Sequence, residues 1–243
     1  MRVGLFVTCL IDTMRPEIGF STIKLLEAAG YEVVVPSAQT CCGQPAYNSG
    51  ERPLARDLAE KTLREFEQFD YVVVPSGSCG GMICVHYGDL FRDDPELMSR
   101  YGKLRERVYE LTDFLVNVAQ VTLPEVPEGE FRGPVTYHDS CSGLRELGVK
   151  AQPRALLAQR GVEVQEMKDC EHCCGFGGTF AVKYGAISTA IADEKCMNVQ
   201  ASGTGAVVLG DLGCMLNIEG RLRRTGDAHT RVLHIAQVLA GDV

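Results

Sequence analysis

One cysteine pattern runs through this chain twice in the same order. Cys9, the vicinal pair Cys41-Cys42 with Gly43 behind it, and Cys79 are repeated as Cys141, Cys173-Cys174 with Gly175, and Cys214. Cys9, Cys41 and Cys42 lie 132 residues before their counterparts, and Cys79 lies 135 before Cys214. Cysteines used as core filler follow the face periodicity of a helix or strand. A register that repeats loop positions across two half-chains argues instead for thiolate chemistry at two equivalent sites. The repeat predicts two domains, and 243 residues at 45% apolar supply enough material for both cores.

The halves read as alternating strands and helices, the pattern of right-handed parallel units. In the first half, strands are expected at Val3–Thr8, Glu32–Pro36 and Tyr71–Pro75, with helices over 17–29, 51–69, 95–101 and 103–120. Gly30 is the expected stop of the first helix, and Leu54, Leu58, Leu63 and Phe66 the apolar positions of the second. Residues 124–134 hold three prolines and two glycines among polar residues and read as a linker, which divides the chain into domains at 1–123 and 135–243. The second half repeats the order, with strands at 134–137, 162–167 and 206–209 and helices at 152–160, 184–199, 215–224 and 232–239. The expected fold is α/β: two pseudo-symmetric domains, each a parallel sheet flanked by helices. Every repeated cysteine then falls just beyond the carboxyl end of a strand, the edge where open parallel sheets hold their ligands.

Charge and leader signals narrow the function. A net charge of −8 without a basic run argues against a nucleic-acid surface, which needs clustered Lys and Arg. The opening MRVGLFVTCLIDT has one charge, Arg2, ahead of a short apolar run that reads as a strand, and no segment reaches the ~18 apolar residues of a membrane helix. A cytosolic protein without a membrane span is expected, and in a reducing compartment 11 cysteines point to metal ligands or redox thiols rather than disulfides.

Four thiolates gathered at one sheet edge repel each other unless a cation neutralises them. Adjacent cysteines cannot both face one small tetrahedral ion without contorting the backbone, yet they can reach two irons of a cluster. Gly43 and Gly175 can take positive φ and let amides approach sulfur, which raises a cluster's potential. Iron–sulfur clusters are the leading reading. A closed four-thiolate zinc site remains the alternative, although structural zinc more often uses two short paired knuckles. A disulfide switch at Cys41-Cys42 is disfavoured by the strained geometry of a vicinal disulfide.

Cys-x31-Cys-Cys-Gly with a further cysteine after the next strand, present twice, resembles the CCG cysteine-rich domain family. That family includes the CCG-bearing component of heterodisulfide reductase and the iron–sulfur subunits of glycolate and glycerol-3-phosphate dehydrogenases. LFVTCLIDT, QTCCGQPAYNSG, PSGSCGGM, YHDSC, CCGFGGTFAVKY and GDLGC, in this order, are similar to its lactate-utilization members over essentially the whole chain. The resemblance implies an iron–sulfur electron-transfer component, an oxidoreductase subunit of a multi-subunit system oxidising L-lactate to pyruvate. Its implied partners are a ferredoxin-like iron–sulfur subunit and a third small subunit. Carried over position by position, the cluster-binding and metal ligands are Cys9, Cys41, Cys42 and Cys79 in one half and Cys141, Cys173, Cys174 and Cys214 in the other. One [4Fe-4S] cluster per domain is the implied cofactor. The heterodisulfide reductase component ends each motif in Cys-x-x-Cys, but here Ser76 and Asp211 stand at the first of those positions, so each site has four thiolates and the noncubane cluster of that enzyme is in doubt. Ser76 and Asp211 either offer oxygen to iron or cap the following helix.

Other candidates are weaker. Cys84 and Cys196 fall in helical stretches and read as core, and Cys170, three residues before Cys173, reads as a stand-by ligand or redox partner. His138 and His172 flank the second cysteines, with His172 the better candidate to move a proton with an electron. Arg145 and Arg154 are candidates for holding a substrate carboxylate. Gly-Phe-Gly-Gly at 175–178 lacks the strand context and acidic residue of a nicotinamide fingerprint, so any organic cofactor is assigned to another subunit. No catalytic residue is assigned. The competing function is a zinc-stabilised scaffold or an iron–sulfur carrier without turnover.

Overall fold

The computed structural model of the chain describes residues 1–127 and 131–243. The first half forms a four-stranded parallel sheet from β1 (Arg2–Leu5), β2 (Glu32–Val34), β3 (Tyr71–Val74) and β4 (Val108–Glu110), in the order β2-β1-β3-β4. The second forms a three-stranded parallel sheet from β5 (Thr136–His138), β6 (Ala206–Leu209) and β7 (Arg231–His234), in that order. A single parallel bridge between Val135 and Val164 marks where a fourth strand would lie beside β5, so the two halves share one strand order. Helices join the parallel strands and cover both faces, as crossover connections require.

Helix Arg52–Phe66 shows how the pattern becomes structure. Ala55, Ala59, Thr62, Leu63 and Phe66 recur at helical spacing and are buried against the first sheet. Leu54, an expected apolar position of this helix, is instead 53% exposed, because it falls outside that stripe. Gly30 ends the preceding helix with φ 86°, as its lack of a side chain permits.

Three secondary-structure expectations are corrected. The expected helix over 103–120 is broken: helix Pro95–Arg105 ends, β4 follows, and a helical turn then widens into a π segment at Phe114–Val118. The expected helix over 232–239 is β7 followed by helix Ile235–Ala240, capped by His234 and Gln237. The expected strand at 162–167 is reduced to the Val135–Val164 bridge. All three lie near sheet edges, where three or four residues are too few to show a period. The linker expectation, 124–134, falls partly on 128–130, which lie outside the described residues.

The halves share an apolar core. Val3, Leu5, Ile18 and Leu26 of the first half belong to one buried cluster with Tyr137, Val208, Ile218 and Leu239 of the second. A separate cluster, with Phe6, Leu63, Phe66 and Tyr87, fills the other face of the first sheet. Helix Ile235–Ala240 packs on helix Pro16–Ala28, and Asp242 accepts from Ser21 and Lys24.

Glycine lets two helices of the halves pack closely. Helix Gly77–Gly81 (GSCGG) packs against helix Cys141–Leu147. A Cβ on Gly77 would lie 2.5 Å from Ser140 Oγ and 2.9 Å from the backbone of Gly143. Gly77→Ala is therefore expected to destabilise the protein by about 1–3 kcal/mol, lowering the thermal midpoint by roughly 3–10 °C. Gly102→Ala, in a helix with open space around the new methyl, is the control and should stabilise by about 0.4–1 kcal/mol. Thermal unfolding of the two variants checks both signs, and equal midpoints would show that the glycine contact is not tight.

Candidate metal centres

The strand order decides where the cysteines meet. β1 lies between β2 and β3, so successive crossovers leave it in opposite directions and the loops part above its carboxyl end, the usual ligand crevice of such sheets. Cys9 follows β1, Cys41 and Cys42 follow β2, and Cys79 follows β3. In the second half Cys141 follows β5, Cys173 and Cys174 follow the Val164 segment, and Cys214 follows β6.

Each half gathers its four thiols side by side. In the first, Cys9 meets Cys41, Cys41 meets Cys42, and Cys42 Sγ lies 3.4 Å from Cys79 Sγ. In the second, Cys141 meets Cys173, Cys173 meets Cys174, and Cys174 meets Cys214. The backbone amide of Gly43 donates to Cys41 Sγ at 3.4 Å and that of Gly175 to Cys173 Sγ at 3.3 Å. Both glycines have φ near 85° (88° and 85°), and a Cβ on Gly175 would sit 2.6 Å from the Ser188 carbonyl. Only glycine lets the backbone turn so close under the vicinal pair.

The proton distribution shows what the sets lack. Cys41 is held well below the ordinary thiol range by hydrogen bonds from Cys42 and then Cys9, and Cys173 by those from Cys141 and then Cys174. Cys9 and Cys42, and in the second half Cys141 and Cys174, are pushed up, mainly because each gives its proton to that one thiolate. Thiols that share protons in this way take on further negative charge only if a cation arrives.

Backbone anchors hold the vicinal pairs. The buried Tyr87 hydroxyl donates to the Cys42 carbonyl at 2.9 Å, and Asn217 Nδ2 to the Cys174 carbonyl at 2.8 Å. Before Cys9, Thr8 has φ 72°, an uncommon conformation for a β-branched residue, and its hydroxyl accepts from the Ile11 amide. That outlier turns the chain sharply from β1 into the helix that Cys9 begins. A cavity of about 180 Å³ opens at the second set, lined by Cys141, Cys173 and Cys214 and, from the first half, by Gln44, Asn48 and Ser78.

Ser76 and Asp211 act as helix caps and bind each other. Asp211 Oδ1 accepts from the Gly213 and Cys214 amides, and Oδ2 from the Ser78 amide at 2.8 Å and the Ser76 hydroxyl at 2.9 Å. Four donors fill this carboxylate, leaving it no lone pair for iron. The equivalent positions of the two halves thus meet across the interface, a contact the sequence did not disclose.

Several weaker candidates settle differently from expectation. His172 is exposed and lies 3.9 Å from Asp169 and 4.0 Å from Glu194. His138 is the buried one: a ring nitrogen, Cys174 Sγ and Cys214 Sγ all lie within 4.8 Å of one another. His138, rather than His172, is therefore the histidine placed against the thiols. Burial, then the charge of Lys195, pushes His138 down to about 3, so the ring is neutral. Arg154 is engaged by Asp139 at 2.8 and 2.9 Å and by Glu166, and stacks 4.9 Å over the Tyr137 ring, so its guanidinium is not available to a substrate. Arg145 is exposed. Cys84 and Cys196 are buried in the core, with burial raising both thiols to about 11, and Cys170 sits beside Asp139. Lys195, missed in the sequence, is buried with its Nζ donating to the carbonyls of Asp169 and Cys170 at 2.6 and 3.2 Å. Its signal was positional, since it shares the inward spacing of Ser188, Ala192 and Val199.

Residues 3–84 and 135–219 match the family described as Cysteine-rich domain, CCG. The chain is 43% identical over 241 residues to Lactate utilization protein A 2 of Bacillus cereus (strain Q1), covering 99% of this chain and 98% of that protein. It is 44% identical over 240 residues to Lactate utilization protein A of Bacillus cytotoxicus, covering 98% of each. Among solved structures, a hypothetical protein from Helicobacter pylori shares the fold with a TM-score of 0.69 at 12% identity. This chain spans about half (48%) of that one. Among the described residues no helix is long and apolar enough to cross a membrane.

Proposed function

The chain belongs to the CCG cysteine-rich domain family, among members named lactate utilization protein A. From that premise we propose that it is the iron–sulfur electron-transfer component of a multi-subunit system that oxidises L-lactate to pyruvate. The observation that carries the reading is the pair of four-thiol sets, each gathered at the carboxyl edge of its own parallel sheet.

Cys9, Cys41, Cys42 and Cys79 would hold one cluster and Cys141, Cys173, Cys174 and Cys214 the other, one [4Fe-4S] per half. Such clusters supply one-electron uptake and release. The remaining work belongs to this chain's own residues. Gly43 and Gly175 aim amides at sulfur, Tyr87 and Asn217 hold the vicinal backbone, and the Ser76–Asp211 contact fixes the spacing of the two sites. Oxidising lactate to pyruvate releases two electrons and two protons, and the two sites match the electron count. Any organic cofactor is assigned to partner subunits, a ferredoxin-like iron–sulfur subunit and a third small subunit.

The zinc alternative has one specific point in its favour, the His138–Cys174–Cys214 group. Metal and acid-labile sulfide analysis of anaerobically purified protein separates the readings. About eight iron and eight sulfide per chain is the expected result for two [4Fe-4S] clusters. A colourless protein carrying stoichiometric zinc would overturn the proposal.

A further inference from the structure

The two cysteine sets are alike in their thiols but not in what stands behind them. Strand register pairs Leu5 with Val73 and Tyr137 with Val208, which makes Phe6 the counterpart of His138. The helices behind the sets align in the same way. The buried positions Ala55, Ala59, Thr62, Leu63 and Phe66 correspond to Ser188, Ala192, Lys195, Cys196 and Val199. A phenyl ring and a threonine in the first half are thus replaced by an imidazole and an ammonium in the second.

His138 is fully buried, and neither ring nitrogen has a hydrogen-bond partner among the described residues. A neutral imidazole carries one N–H, and leaving a buried donor unmade costs about 1–3 kcal/mol. The Cys170 carbonyl faces the ring, but its two lone pairs are already taken by the Asp139 amide and Lys195. The sulfurs of Cys174 and Cys214 lie within 4.8 Å of one ring nitrogen. The Lys195 charge acts on the same place, on Cys174, Cys214 and His138. Phe6 can donate nothing, and Thr62 gives its hydroxyl to the Leu58 carbonyl of its own helix.

Reduction adds negative charge to a cluster, and N–H donors on sulfur and a nearby buried cation both stabilise that charge. Building on the iron–sulfur reading above, we propose that His138 and Lys195 make the second-half site the higher-potential of the two, so that a single electron given to the protein rests there. His138 and Lys195 are positioning residues that set an energy, and the liganding is left to the cysteines.

The test is an anaerobic redox titration of the full, iron-loaded chain followed by electron paramagnetic resonance. Cys174→Ser and Cys42→Ser identify the first-site and second-site signals. The second site should titrate at the higher potential. His138→Phe and Lys195→Thr, which install the first half's residues, should each lower the second site by about tenfold in its one-electron equilibrium, ~59 mV, and leave iron content and the first site unchanged. With 15N-histidine, pulsed resonance of the reduced wild type should show a weakly coupled nitrogen that His138→Phe removes. Where a variant fails to load iron, the order of the two wild-type potentials and the nitrogen coupling decide. Equal or inverted potentials, variants that keep iron and do not shift, or a strongly coupled, directly ligated nitrogen would each overturn the inference while leaving the iron–sulfur reading intact. A wild type without iron would sink both, and it is recognised by metal analysis before any titration begins.

Discussion

Replacing Cys42 by serine is expected to remove about half of the iron and sulfide, and Cys174→Ser the complementary half, because cluster iron is held by thiolates and the two sets share no cysteine. These positions are the most informative in their sets. Both are 2% exposed, and each lies in the middle of its thiol chain, between the partner in the vicinal pair and the cysteine that follows the third strand. Serine has nearly the same shape, but its hydroxyl ionises far less readily than a thiol and is a harder ligand, so three thiolates remain where four are needed. The double variant should hold essentially none. Iron and sulfide per chain, with far-UV circular dichroism as the check on folding, measure the outcome. Complete loss in either single variant, with the fold intact, would show one shared centre in place of two.

Asp211→Ala carries the largest expected cost in stability. The carboxylate is 3% exposed and accepts four hydrogen bonds, two from the helix it caps and two from Ser76 and Ser78 of the other half. Deleting it strands three amides and a hydroxyl at a buried interface, and removing one side of such a network costs about 3–5 kcal/mol, or roughly 6–20 °C in the thermal midpoint of a chain of this size. Asp211→Asn should fall between the two, since its amide nitrogen must face one pair of donors. Thermal unfolding of the three proteins gives the ranking. A midpoint within ~2 °C of wild type for the alanine variant would show that the interface does not depend on this residue.

Legibility followed the length of the signal. Helices of 13 residues or more were found within a few positions, because several turns repeat one apolar stripe. β4 was hidden in Val108–Glu110, three residues running directly into Leu-Thr-Asp, and β7 in four residues before a six-residue helix. Neither strand is long enough to show alternation, so both read as extensions of neighbouring helices. His138 and His172 were ranked by adjacency to the cysteines in sequence. Tertiary burial decides the matter, since every residue of β5, His138 included, is buried while His172 sits on an exposed turn.

The sequence by itself determined that the cysteines repeat as two sets of four and that parallel α/β units carry them. These follow from residue identity and a repeat 132 residues long, and both survive without coordinates. Tertiary structure decided what lies between and behind the sites: the Ser76–Asp211 contact, the glycine-faced helix packing, and the imidazole and ammonium that set one cysteine set apart from the other. Residues 135 positions apart, such as Ser76 and Asp211, leave no local pattern. Their meeting is enforced only when burial of one shared core brings the two sheets together and each buried polar group must find its partner.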